Sequence, residues 1–196
     1  MKSKIVAHIA LTLLILELVL VFVSWLLSAT MTAGVRPLLS NEGVRWLCGH
    51  FVDVVLSPLL AWILLLGMAC GVLVKSRLPH AIVHHESYRE RLALRVSFVV
   101  LTGYVAIVVW MIAVPQALLL SATGSLWPSP FSRALVPLVA FGSSLVAVCY
   151  GSLSHTFSSL SSVTDAFAWG IAKAAPLLLL YVLAIQFYES LHFVFL

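Results

Sequence analysis

The stretch Ile5–Ser28, IVAHIALTLLILELVLVFVSWLLS, decides the fold. It is apolar over nearly its whole length, and about 20 such residues suffice for a helix to cross roughly 30 Å of hydrocarbon. Lipid offers the backbone no hydrogen bonds, so a spanning segment is either a helix or a strand of a closed barrel. Barrel strands alternate apolar and polar residues over segments of about 10, and this run does not alternate. Lys2 and Lys4 precede it as they would in a secretory leader. The run is too long for a leader's apolar core and no clean small-x-small cleavage site follows, so a retained span is expected.

Near the centre of this run stands Glu17. A carboxylate at that depth costs about 2.5–3.5 kcal/mol on insertion scales unless it is paired or faces water. The default reading of such a residue is functional, but a protonated Glu17 hydrogen-bonded to a neighbouring helix or a partner chain is the weightier reading. His8 is interfacial.

Outward from this run the composition agrees. Hydrophobic residues make up 62% of the 196 and charged residues 9%, and the mean hydropathy is +1.12. Soluble domains carry about 25% charged residues, so a soluble globule is excluded. The expected fold is an all-α integral membrane protein, a single membrane domain over 1–196, with spans at about 5–28, 47–74, 96–121, 133–154 and 168–195. Lys2, Lys4, Lys75, Arg77, Arg89, Arg91 and Arg95 fall on one side of these spans, and Arg36, Arg45 and Arg133 on the other. Lys173 lies just inside the last span, nearer the first side. The positive-inside rule then puts the N-terminus in the cytoplasm and the C-terminus outside, in the cell (inner) membrane. This bias accounts for the net charge of +4, and no basic patch interleaved with aromatics points to nucleic acid. Cys48, Cys70 and Cys149 have no paired spacing and read as small core residues, not as a disulfide, metal or redox set.

Between the spans, Ser40-Asn41-Glu42-Gly43 reads as a helix start ahead of Val44 and Trp46. Pro58 is expected to kink the second span, and Gly67 to admit a neighbouring helix closely. His80, His84 and His85 lie in a basic loop near lipid headgroups. His80 and His84 are spaced for one helix face, but apart from Glu86 no acid or cysteine partner for a metal stands at ligand spacing. Asp165 is expected in the first turn of the last helix, where the dipole favours a negative charge. The Ser/Thr-rich segment 152–162, with His155 and Asp165, reads as a polar connection; residues so close in one turn rarely converge as a catalytic triad, so no enzyme is expected. No cofactor is expected either.

The strongest motif lies at 123–139, TGSLWPSPFSRALVPLV, a proline-fixed hairpin between two helices. Its Gly124, Pro128, Ser129, Pro130, Phe131, Val136, Pro137 and Leu138 resemble, in order and spacing, a TG-x-x-x-PSPF-x-x-x-x-VPL pattern of the AbgT (p-aminobenzoyl-glutamate) transporter family. The loop with Leu38, Leu39, Ser40, Glu42, Gly43 and Trp46 is similar to that family's LLS-x-EG-x-x-W. Ser57, Pro58 and Leu59 resemble the start of its next helix, with Leu60 where the family has glycine. Pro115-Gln116, Tyr150-Gly151, and Ala184 with Gln186 and Phe187 extend the likeness, which covers about 8–78 and 86–193. The family's S-N-x-x-S-D-A-G-Y-like and S-G-S-A-like hairpins have no counterpart here, so the resemblance is to a short form.

The resemblance implies cation-gradient-driven transport of p-aminobenzoyl-glutamate or a related small anionic compound. Polar residues available to a transport path or a helix interface are Glu17, Asp53, Gln116, Ser143, Ser144, Asp165 and Gln186. The alternative expectation is a non-transporting scaffold that packs against partner transmembrane helices. Lipids and a homo- or hetero-oligomer are the expected partners in either case.

Overall fold

The structure, a computed structural model, describes residues 2–30, 34–83, 88–113 and 130–196. Every regular element among the described residues is a helix, with no strand among them: α1 (Lys2–Ala29), α2 (Asn41–Val55), α3 (Pro58–Lys75), α4 (Leu78–Val83), α5 (Tyr88–Ala113), α6 (Pro130–Leu153) and α7 (Leu160–Phe195). Five of these, α1, α3, α5, α6 and α7, are long and apolar enough to cross a membrane, and the chain is accordingly a multi-pass membrane protein. The hairpin positions Gly124, Pro128 and Ser129, together with Pro115, Gln116, His84 and His85, lie outside the described residues.

Three boundaries differ from expectation, the simplest being α5, which begins at Tyr88, ahead of the expected 96. The span expected over 47–74 is two helices, because Pro58 starts a helix instead of kinking one. Proline has no N–H to lose at the first helical position, and it drives the preceding residue out of helical conformation. Ser57 caps the new start by accepting from the Leu59 N–H at 3.2 Å. Leu56 closes α2 with its N–H on the Val52 carbonyl at 2.9 Å. The last helix begins at Leu160, ahead of the expected 168, with Ser159 accepting from the Ser162 N–H at 3.4 Å. Asp165 therefore lies in the second turn, not the first. Pro137 and Pro176 both sit inside continuous helices.

The chain divides into two compact units, Met1–Ile63 with Ala175–Leu196, and Leu64–Ala174. In the first, α1, the loop before α2, α2 and the end of α7 enclose a cluster of Leu20, Leu38 and Val194, with Trp46 and Phe193 against it. The rings of Trp46 and Phe193 stack at 4.6 Å. Ser40 caps α2 as its sequence predicts, accepting from the Gly43 N–H at 3.0 Å, and Glu42 follows in the first turn. Gly43 is buried, and a Cβ there would strike the Leu38 carbonyl, so the tight entry into α2 requires glycine. The break between α2 and α3 is held from α7: Tyr181 Oη donates to the Val55 carbonyl at 3.1 Å and shares a 2.5 Å hydrogen bond with Ser57 Oγ.

In the second unit, α3 carries Gly67-x-x-x-Gly71 against Ala166, Gly170 and Ala174 of α7. A Cβ on Gly67 would lie 2.7 Å from that of Ala174, and one on Gly71 would lie 2.5 Å from Gly170 Cα. Small residues at this period let two backbones meet, which is how helices gain dispersion contacts in a solvent as apolar as themselves. Val72, Ala147, Phe157 and Ala166 form one core cluster, and Leu78, Ala81, Ala93 and Tyr150 another. Phe157 lies over Gly151, its N–H donating to the Gly151 carbonyl at 2.9 Å. Tyr104 of α5 donates to the Leu138 carbonyl of α6 at 2.9 Å, its ring over Gly142. Cys48 and Cys70, expected in the core, are exposed instead. Cys70 precedes Gly71 by one residue, about 100° around the helix, and so turns away from the glycine seam.

Candidate intramembrane polar site

The first unit gathers polar groups where α1 meets the end of α7. Glu17 lies about 22 Å along α1 from Lys2 and about 18 Å from Ala29, near the middle of that span. Ser190 Oγ donates to Glu17 Oε1 at 2.6 Å, and Gln186 Nε2 donates to Ser190 Oγ at 3.3 Å. Ser190 is fully buried. Leu20 and Val194, one turn further along their helices, close the site with apolar packing. Because Glu17 meets Ser190 and Leu20 lies near Val194, the two helices run in the same direction here. At the end of α7 the Arg36 N–H donates to the Val194 carbonyl at 3.1 Å.

Two oxygens in this cluster have no hydrogen-bond partner among the described residues: Glu17 Oε2 and Gln186 Oε1, both buried. Each is an acceptor, and an unpaired buried acceptor of this kind costs about 1–3 kcal/mol. A carboxylate oxygen, an amide oxygen and a hydroxyl form a set of hard oxygen ligands. Such a set takes up a proton or a small hard cation, which would supply the positive charge that these acceptors lack.

Of the residues expected on a transport path or interface, Glu17 and Gln186 come together. Asp53 is exposed on α2 and Asp165 is exposed on α7. Ser143 and Ser144 each donate back to the Ala140 carbonyl of their own helix, at 3.0 and 2.7 Å, which removes the cost of a hydroxyl among apolar neighbours. Gln116 lies outside the described residues. Ser190 was not anticipated, although its spacing of four from Gln186 puts both on one helix face. Compared with known protein families, curated proteins and solved structures, the chain matches none.

Proposed function

We propose that the chain is a membrane transport protein driven by a cation gradient, similar to the AbgT transporters, with a small anionic compound of the p-aminobenzoyl-glutamate type as its cargo. The observation that carries this reading is the Glu17–Ser190–Gln186 cluster, two of whose acceptors find no partner among the described residues and lie near the middle of a span. Cation coupling needs a group that changes charge or ligation inside the membrane, and a carboxylate held by only one of its oxygens is such a group. The Ser40–Gly43 helix start lies within the loop that carries part of the resemblance to that family. In this reading the N-terminus is cytoplasmic and the C-terminus external, in the cell (inner) membrane, as the charge bias directs.

The test is uptake of labelled p-aminobenzoyl-glutamate into proteoliposomes holding the full chain, under an inward sodium or proton gradient. Saturable, gradient-dependent uptake is expected, abolished by Glu17→Gln and weakened by Ser190→Ala. Uptake that Glu17→Gln leaves intact refutes the assignment of the coupling site.

A second reading, a scaffold that binds partner helices, draws on the exposed apolar side chains of α1. Leu11, Leu18, Phe22 and Trp25 all face outward there. Absence of uptake, together with a partner that co-purifies and is lost on Phe22→Ala, would favour it.

A further inference from the structure

We propose that the second unit carries a site for an anionic phospholipid, with the phosphate in a basic cleft at the ends of α3 and α6 and an acyl chain in the groove between α5 and α6. The cleft has a volume of about 840 Å³, and its lining includes Lys75, Arg77, His80 and His155. Ser154 and Thr156 add hydroxyls, 2.9 Å apart. Glu90 is the carboxylate among the described lining residues, so the two fixed cations leave the cleft net positive before either imidazole is counted.

The backbone shapes this cleft. Arg77 and His155 each follow the end of a helix in left-handed conformation, at φ 58° and 57°. Glycine or asparagine usually fills that position, since any other side chain costs about 1–2 kcal/mol there. Here an arginine and a histidine occupy the two turns, and both side chains line the cleft. The Lys75 ammonium stands 5.1 Å from the centre of the Trp169 ring, and Lys173 stands 5.4 Å from the same ring. A third cation is thereby held beside the cleft on an aromatic platform of the kind enriched at the headgroup level of bilayers.

The second half of the site is apolar. A groove of about 480 Å³ runs between Leu101, Val105 and Val108 of α5 and Leu135, Leu138 and Val146 of α6. It approaches the cleft through shared packing: Leu73 and Val146 line the groove, Tyr150 lines the cleft, and all three belong to one cluster. Val146 and Tyr150 are one turn apart on α6. A soluble phosphate uses the cleft alone, whereas a phospholipid uses both parts, and the adjoining apolar groove is the reason for choosing the lipid. Basic pockets between spanning helices are the general form of anionic headgroup sites.

The experiment reconstitutes the full chain in phosphatidylcholine bilayers and measures, by electron paramagnetic resonance, how strongly spin-labelled phosphatidylglycerol is held at the protein relative to spin-labelled phosphatidylcholine. Preference for phosphatidylglycerol is expected, and Lys75→Gln with Arg77→Gln should lower it roughly 10- to 30-fold. Leu101→Trp, which fills the groove and leaves the cleft charge alone, should also lower it. Three results overturn the proposal. The wild type shows no preference; Arg91→Gln with Arg95→Gln, outside the cleft, lowers it as much, so that only surface potential is being read; or inorganic phosphate displaces the lipid fully while Leu101→Trp has no effect, so that the cleft serves a soluble anion.

Discussion

Replacing Gly170 by alanine tests the seam between α3 and α7. The added Cβ would stand against the Gly67 carbonyl oxygen and 2.9 Å from Gly71 Cα. Ordinary contact begins at 3.4 Å, so clearing the Gly67 carbonyl oxygen, the closer of the two, takes a separation of about an ångström, and the obstacle is backbone, which cannot rotate away. Overpacking of this kind costs about 1–3 kcal/mol, and the upper part of that range applies where no side chain can yield. Alanine's better helix propensity offsets about 1 kcal/mol, leaving a net loss of about 1–2 kcal/mol. Gly103 of α5 is the control, because none of the described residues lies within 4 Å of a Cβ built there. For Gly103→Ala the propensity term stands alone, and a gain of about 0.5–1 kcal/mol is expected. The two variants of the full chain should thus differ by about 2–3 kcal/mol when unfolded by dodecyl sulfate in mixed micelles and followed by helical circular dichroism. A difference below about 0.5 kcal/mol, or a Gly170→Ala variant more stable than Gly103→Ala, would refute backbone contact as the basis of the seam.

Two further substitutions probe the first unit. Tyr181→Phe removes the hydroxyl shared by Val55 and Ser57 and should cost about 1 kcal/mol, with faster deuterium uptake at residues 55–60 as its local signature; unchanged exchange there would show that the break holds without α7. Ser40→Ala should cost about 1 kcal/mol and raise exchange in the first turn of α2, starting at Gly43; protection equal to the wild type would remove the cap from the account.

What could be read in advance divides by range. The five spans and the Ser40 cap were legible because each depends on residues within a turn or a single apolar run. The break at Leu56-Ser57 was not. A proline that kinks a helix and one that starts a helix look alike locally, and here Ser57 and Tyr181, 124 positions apart, hold the second outcome. The early start of α7 was hidden for a different reason. Serines that cap a helix and serines that fill a loop have the same composition, so Ser159 and Ser162 read locally as part of the polar connection. In the polar site, Glu17 and Gln186 each stood out as a polar residue in an apolar run, but their pairing through Ser190 joins helices at opposite ends of the chain. Spacing within one helix could have supplied Ser190; nothing local could have supplied its partner.

The hydroxyl of Tyr181 sets a schedule for the ribosome. The elbow between α2 and α3 emerges first, and the side chain that latches it is made more than a hundred residues later. Through that interval the Val55 carbonyl keeps only its local hydrogen bond from the Ser57 N–H at 2.8 Å, and the Ser57 hydroxyl waits for its partner. The elbow is therefore among the last local geometries to settle during synthesis, and a nascent chain halted before α7 would still carry it unlatched.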